Sequence, residues 1–167
     1  DPSLGYPDIQ LQFMPLQLAS GLNPQPSPAG FCITIAHQRP TSRGRVTLRS
    51  RDPREAPALT LNYLSTERDR ANARRCVELA RDLIAQKAFS GLRGDEMKPG
   101  PQIASAAGIE AFCRQTGTSG YHASGTCRMG ADSDPMVVAT PDGRVRGLDA
   151  LRVVDASLFP SLTTGNT

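Results

Sequence analysis

Alternating apolar and polar positions dominate the first half of the chain. Residues 9–13, 31–36, 45–49 and 59–63 alternate in this way or are rich in β-branched side chains. Both patterns are typical of strands that bury one face. The short connection between 31–36 and 45–49 predicts an antiparallel hairpin. Three prolines within residues 19–30 predict a loop without regular ladder pairing.

A helical period replaces the alternation in the middle of the chain. Apolar residues recur at i, i+3, i+4, i+7 and i+8 from Cys76 to Ile84, which predicts an amphipathic helix with one apolar stripe. Ser65 or Thr66 is the expected N-cap of this helix. A second, shorter helix is predicted to start at Ser105 and to stop before Gly117, with Ile109, Phe112 and Cys113 facing inward.

The order of these elements predicts the fold class. Strands come first, helices lie in the middle, and short extended segments follow at 136–138 and 151–155. We therefore expect an α+β fold, an antiparallel or mixed sheet of about five to six strands with helices packed on one face. The strand–helix alternation of a doubly wound domain is absent. The chain has 167 residues, the length of one domain, so residues 1–167 are predicted to form a single domain.

Charge and cysteine usage argue against several classes of function. The net charge is only +3, and the arginines are not clustered with aromatic residues, which argues against a nucleic-acid partner. Two histidines and four scattered cysteines lack the spacing of zinc ligands, so we predict no metal site. Reduced thiols, and no apolar run near the ~20 residues of a membrane span, predict a cytoplasmic protein. Peripheral association with a membrane stays open.

Candidate chemistry lies around His122, among small and hydroxylated residues. An imidazole in such a setting can exchange a proton with a close ligand near neutral pH. From the residues alone, a structural loop histidine is the more common interpretation. Ser124 or Thr126 beside His122 leaves a hydrolase as a rival, although no G-x-S-x-G nucleophile elbow is present. His37 ends an apolar strand and is predicted to be structural, and the cysteines are predicted to pack as small hydrophobic residues.

Two stretches resemble one enzyme family. Residues 121–130 read Tyr-His-Ala-Ser-Gly-Thr-Cys-Arg-Met-Gly and resemble the histidine motif of the glucose–methanol–choline (GMC) flavin oxidoreductases. Residues 145–160 and 164–167 resemble the segment that leads to the last active-site residue of the family. Ala123 stands where many relatives have proline. Weaker matches extend the resemblance over nearly the whole chain, at residues 7–11, 42–46 and 52–53.

This resemblance implies an FAD-dependent oxidoreductase that oxidises the CH–OH group of a small-molecule alcohol to a carbonyl, by hydride transfer to flavin N5. It implies His122 as the proton acceptor and Asn166 as the residue that holds the substrate oxygen. It also implies cofactor contacts from Asp155, Ala156, Asn166 and Thr167, with Ala156 contributing its backbone N–H. From the residues alone, Asp155 is equally well explained as a helix N-cap without a ligand.

One feature of the family is missing from the sequence. The G-x-G-x-x-G turn that binds a dinucleotide is absent, because no two glycines are two positions apart. We therefore expect the C-terminal, substrate-binding portion of a larger enzyme, with a fold like the C-terminal domain of FAD-linked reductases. Its partner would be a separate N-terminal FAD-binding Rossmann domain, without which we expect neither bound FAD nor activity.

Two further expectations concern the type of protein. We favour a dehydrogenase over an oxidase. The alternative to an enzyme is a free-standing α+β binding or interaction module without redox activity. The coding sequence upstream of residue 1 distinguishes the two, because only the enzyme requires a flavin-binding domain in frame.

Overall fold

The computed structural model describes residues 3–20, 23–24 and 29–166, and the chain divides into two units. Unit 1 comprises Asp1–His37 and Leu64–Thr118, and unit 2 comprises Gln38–Tyr63 and Ser119–Thr167. The elements in chain order are β1 (Ile9–Met14), β2 (Leu18–Ser20), β3 (Asn23–Pro24), β4 (Cys32–His37), β5 (Arg45–Thr47), β6 (Ala58–Thr60), α1 (Glu67–Ala85), a 3-10 helix (Lys87–Phe89), α2 (Ala106–Thr116) and a second 3-10 helix (Ala156–Leu158). The α+β class is confirmed.

The strands pair two by two, and every pair is antiparallel. β1 pairs with β4, from Ile9 opposite His37 to Met14 opposite Cys32, while β2 pairs with β3 and β5 with β6. The predicted hairpin between 31–36 and 45–49 is wrong: both strands form, but each takes another partner. Within the described residues the sheets are two-stranded, so one continuous sheet of five or six strands is not observed there.

Two local predictions about strands also need correction. The stretch 19–30 was expected to be a loop, yet β2 and β3 pair within and beside it, with Pro24 opposite Leu18. Proline is tolerated at this place because β3 is only two residues long and a strand end needs no ladder donor. Residues 151–155 were expected to be a strand, but they contribute only an isolated bridge, between Arg144 and Arg152.

Both predicted helices are confirmed with their caps. Thr66 caps α1 by accepting a hydrogen bond from the Asp69 amide at 3.3 Å, and Ser105 caps α2 by accepting one from the Gly108 amide at 3.1 Å. Helix α1 packs against β4 and α2. The buried apolar residues of unit 1 are Cys76, Val77 and Ile109.

Ion pairs join the two helices of unit 1. Glu110 of α2 accepts from Arg74 of α1 at 3.0 Å and lies 3.4 Å from the Nε atom of Arg70. Both arginines also bond Glu67, each at 2.8 Å. These side chains are partly exposed, so each pair adds little stability, but the network fixes the orientation of α2 on α1.

A buried carboxylate lies beside a histidine in unit 1. The Asp69 side chain is 1% exposed, and its Oδ1 atom is 3.9 Å from Nδ1 of His37. The other ring nitrogen of His37, Nε2, is 2.7 Å from Nδ2 of Asn72. The amide of Asn72 is a donor, so Nε2 accepts and the ring proton of neutral His37 sits on Nδ1, toward Asp69. This interior position agrees with the structural role predicted for His37.

Unit 2 contains few regular elements apart from β5 and β6. Its buried apolar residues are Val137 and Ala139. Backbone hydrogen bonds cross-link the loops around them; for example, the Val138 amide donates to the carbonyl of Arg128 at 3.0 Å, and the Arg146 amide donates to that of Val138 at 3.0 Å. Main-chain bonds between irregular segments therefore help to hold unit 2 together, beside ion pairs such as Arg128–Asp134 and Arg146–Asp132. No helix within the described residues is long and apolar enough to cross a bilayer.

Candidate active site

His122 lies in an irregular loop of unit 2, in a half-buried position. The residue before it, Tyr121, has a φ of 64°, in the left-handed region that residues other than glycine rarely occupy. The Tyr121 amide donates to Oγ of Ser119 at 3.0 Å, which supports the turn, while the Tyr121 side chain is 75% exposed. Such backbone outliers cluster at functional sites, because the surrounding structure must hold them in place.

Three backbone hydrogen bonds join the His122 loop to the second 3-10 helix. The donors are the backbone amides of three alternate residues of the loop. The acceptors are the three consecutive residues of the helix. The pairs are Gly125 to Ala156 at 3.3 Å, Cys127 to Ser157 at 3.0 Å and Met129 to Leu158 at 2.8 Å. The two stretches that carry the family resemblance are thus in direct contact.

Gly125 permits this close approach. Its φ is 83°, a conformation that favours glycine. A Cβ atom at this position would lie 3.3 Å from the carbonyl oxygen of Phe159. Any larger residue at 125 would therefore strain its own backbone and press on the chain just after the 3-10 helix.

Asp155 caps this 3-10 helix. Its Oδ1 atom accepts a hydrogen bond from the Ser157 amide at 2.8 Å. This hydrogen bond lowers the pKa of the Asp155 carboxyl below its usual range, so the group is anionic at neutral pH. The N-cap interpretation of Asp155 is correct at the level of local structure. The cap leaves the carboxylate exposed, with acceptor capacity for a hydroxyl group of a ligand.

Ala156 presents a different kind of group. No hydrogen bond among the described residues has the Ala156 amide as its donor, as is usual for the first residue of a helix. Its methyl side chain adds little bulk. A backbone N–H of this kind suits a phosphate oxygen, and the neighbouring carboxylate of Asp155 suits a ribityl or ribose hydroxyl. One backbone donor beside one carboxylate acceptor fits the phosphate and hydroxyl groups of a flavin dinucleotide.

Asn166 lies at the end of the described chain, and its side chain is exposed. The preceding residue, Gly165, has a φ of 106°, and its amide donates to Oε1 of Gln38 at 2.9 Å. Nearby, Nε of Arg39 donates to the Leu162 carbonyl at 3.1 Å. The segment that presents Asn166 is thus held by two residues that directly follow β4. Thr167, predicted to contact the cofactor, is outside the described residues.

The structure places His122, Asp155, Ala156 and Asn166 in unit 2, while His37 belongs to unit 1. The first three are linked through the backbone bonds between the His122 loop and the 3-10 helix. Gln38 and Arg39 were missed at the sequence level. Two polar residues after a strand carry no local signal, and their partners are more than a hundred positions away.

This arrangement offers one imidazole, one exposed side-chain amide, one carboxylate and one backbone N–H. Taken one by one, the imidazole can accept a proton, and the amide, the carboxylate and the N–H can form hydrogen bonds with a ligand. Within the part of the chain that the structure describes, no group of three or more His, Cys, Asp or Glu side chains could hold a metal ion.

Comparisons with known proteins point to one family. Residues 40–167 match the family model described as GMC oxidoreductase. The chain is 44% identical over 165 residues to an oxygen-dependent choline dehydrogenase of Rhizobium rhizogenes (strain K84), a match that covers 99% of this chain and 30% of that protein.

Solved structures agree with the sequence matches. Pyridoxine 4-oxidase from Mesorbium loti is 31% identical with a TM-score of 0.86, over 97% of this chain and 31% of that chain. An FAD-dependent oxidoreductase from Chaetomium thermophilum is 25% identical with a TM-score of 0.75, over 83% of this chain and 24% of that chain.

The chain matches only part of the length of each relative. The chain spans about 30% of the length of the curated relative and 31% of the pyridoxine oxidase. The match to the family model includes both the His122 loop and the segment that presents Asn166. The sequence motif, the fold and the placement of both motif segments in one unit agree: this chain belongs to the GMC oxidoreductase family.

Proposed function

We propose that this chain is the C-terminal, substrate-binding and catalytic portion of an FAD-dependent oxidoreductase. The reaction is oxidation of the CH–OH group of a small-molecule alcohol to a carbonyl. The observation that carries the proposal is the backbone pairing of the His122 loop with residues 156–158. It joins the proposed proton acceptor to the proposed cofactor contacts in a chain that belongs to a family of oxidoreductases.

His122 is the proposed proton acceptor. A neutral imidazole has one ring nitrogen with a free lone pair, and this nitrogen can take the hydroxyl proton of the alcohol. As the proton leaves, negative charge grows on the alcohol oxygen and the C–H bond on its carbon weakens. Asn166 cannot titrate, but its side-chain N–H can donate to that oxygen and stabilise the developing charge.

The chemistry that FAD supplies when bound is acceptance of the hydride at N5. The residues that would hold it are Ala156, through its backbone N–H, and Asp155, through a hydroxyl of the cofactor. We assign Asn166 and Thr167 to the region of the flavin ring from the family resemblance. The FAD-dependent relative from Chaetomium thermophilum supports this choice of cofactor.

The rest of the polypeptide is proposed to supply what this chain lacks. An N-terminal Rossmann domain would bind most of the FAD, and residues 1–167 would form a single substrate-binding domain beside it. Exposed apolar side chains on β5, on β6 and just after β5 support a covering partner, since Leu48 is 85% exposed and Val46 and Leu59 are also exposed. A sheet of about five to six strands, as expected from the sequence, stays part of this proposal.

Some finer features are also part of the proposal. We favour a dehydrogenase over an oxidase, with a cytoplasmic location, and we expect the isolated 167-residue chain to be inactive because it lacks most cofactor contacts. The name of the Rhizobium rhizogenes relative makes choline one alcohol to test. The scarcity of aromatic residues does not favour a quaternary ammonium substrate over other alcohols.

The test uses the full-length protein that contains this chain. The purified protein should carry FAD, and anaerobic mixing with the right alcohol should bleach the flavin absorbance. A panel of primary, aromatic and amino alcohols, with choline and pyridoxine included, would identify the substrate. A coding sequence without a dinucleotide-binding region, or a full-length protein without flavin absorbance, would overturn the proposal.

A further inference from the structure

Gln38 is a buried polar residue whose contact the proposed chemistry does not yet use. It directly follows β4, and it is only 6% exposed. Its Oε1 atom accepts the hydrogen bond from the Gly165 amide at 2.9 Å, across 127 positions of sequence. Burial of a side-chain amide is destabilising unless the amide is hydrogen-bonded. The bond from the Gly165 amide to Gln38 therefore stabilises unit 2.

The bonded amide is one residue away from the proposed active-site amide. Because peptide units are planar, the direction of the chain at Asn166 follows from the position of the Gly165 amide and the dihedral angles of Gly165. The φ of 106° is open to glycine but not to ordinary residues. A Cβ atom at 165 would meet no other atom within 4 Å, so the requirement for glycine here is conformational and not one of space.

Arg39 adds a second anchor to the same segment. Its Nε atom donates to the Leu162 carbonyl at 3.1 Å, three positions before Gly165. Arg39 itself has a φ of 49°, so its backbone also adopts a sparsely populated conformation. Two adjacent residues therefore fix the segment before Asn166 at two points.

We propose that Gln38, supported by Arg39, is a positioning residue that sets the place of the Asn166 side chain. This inference rests on the proposed function, in which Asn166 holds the substrate oxygen. Gln38 touches neither substrate nor cofactor in this account. Its proposed effect on the reaction passes through the Gly165 amide.

A double-mutant cycle on the full-length, flavin-loaded enzyme tests the inference. Gln38→Met keeps the length of the side chain and removes the acceptor. It should slow flavin reduction at saturating alcohol by about five- to tenfold, the scale of one neutral hydrogen bond. In an Asn166→Ala background the same change should slow reduction by less than about twofold, because no side-chain amide is left to position.

Gly165→Ala tests the same link from the other end. The added methyl group meets no atom within 4 Å, but the φ of 106° strains an alanine. The variant should therefore shift the segment that presents Asn166 without overpacking unit 2, and it should show the same dependence on Asn166. Gln86→Met is the matched control, since Gln86 is exposed and donates to the Asp82 carbonyl in unit 1; it should leave reduction unchanged.

The outcomes separate the two proposals. If Gln38→Met and Gly165→Ala slow reduction equally with and without Asn166, the residues are merely structural and the positioning role is wrong. If Asn166→Ala itself reduces its flavin at the normal rate, or the wild-type protein oxidises no alcohol, the proposed function fails and the positioning role falls with it. Strong dependence on Asn166 in either cycle supports the inference.

Discussion

The two histidines of this chain occupy opposite kinds of surroundings. In unit 1 the side chain of His37 is 13% exposed and lies between the buried carboxylate of Asp69 and the amide of Asn72. In unit 2 His122 follows a residue with a positive φ, in a loop held by backbone bonds to a 3-10 helix. The imidazole thus lies between side-chain partners in unit 1, whereas in unit 2 it lies on a loop that backbone hydrogen bonds hold in place. We propose on this basis that His37 is structural and that His122 carries the chemistry, a difference that follows from the surroundings and not from the residue type.

The largest effect should come from removing the imidazole of unit 2. His122→Ala in the full-length enzyme should slow flavin reduction by alcohol about 10²-fold or more, the usual scale for a lost general base. Anaerobic stopped-flow spectroscopy measures this rate. His37→Gln is the matched control and should change reduction little, because His37 lies outside unit 2. An equal loss of the flavin-reduction rate in the two variants would contradict the proposed difference between the histidines.

The buried carboxylate of unit 1 should matter for stability and not for the reaction. Asp69→Ala leaves His37 without its buried carboxylate neighbour, and should destabilise unit 1 by about 1–3 kcal/mol. Faster hydrogen exchange of the α1 amides would report this loss of stability. Asp82→Ala, at an exposed position of the same helix, is the control. A smaller effect for Asp69 than for Asp82 would contradict this account.

Acid should weaken unit 1 through His37. Burial lowers the pKa of His37, and the carboxylates of Asp69 and Asp8 oppose this shift only in part, while Arg68 adds to it. The unfolded state therefore binds the proton first. The stabilising contribution of neutral His37 is complete well above the ordinary pKa near 6.5 and is lost as pH falls through that value toward the lower native pKa.

Hydrogen exchange of the α1 amides at several pH values measures this loss, which should be smaller than that of Asp69→Ala. The His37→Gln variant should show a flatter profile over the same range. A stability that rises as the pH drops below 6.5, or an unchanged slope in the variant, would reverse the assignment.

The smallest effect concerns thiol reactivity. Burial raises the pKa of the Cys76 thiol to about 12, so almost no thiolate exists at pH 8. Iodoacetamide should label Cys76 much more slowly than Cys127, which is half-buried in the His122 loop. Mass spectrometry of native and denatured samples measures both rates. Equal labelling in the native protein would show that the interior of unit 1 opens as readily as the loop of unit 2.

Local features of the fold were predictable from sequence. The caps at Thr66 and Ser105 satisfy amides within the same turn, so their signal is contained in a few residues. Strand partners were not predictable in this way. Alternation of apolar and polar residues shows that β4 is a strand, but it does not show whether β4 pairs with β1 or with β5. In the structure β4 pairs with β1.

The candidate site shows the same difference between local features, which the sequence predicts, and long-range contacts, which it does not. His122 could be identified because its neighbours in sequence carry the family motif. Gln38 could not, because its partner at Gly165 lies across the whole of the helical region. The sequence around Gln38 looks like that of any polar residue at the end of a strand, and it carries no signal of a distant partner.

The three backbone bonds described between the His122 loop and the 3-10 helix join main chain to main chain. Such bonds do not depend on side-chain identity, apart from the glycine at 125 and the exclusion of proline at the donor positions 127 and 129. The exposed side chain of Thr126 can therefore be exchanged without disturbing these bonds. Arg128 is different, because its side chain pairs with Asp134 at 2.6 Å. Substitution at an exposed position such as Thr126 should therefore leave the proposed base in place, which makes that position of the loop tolerant of sequence change.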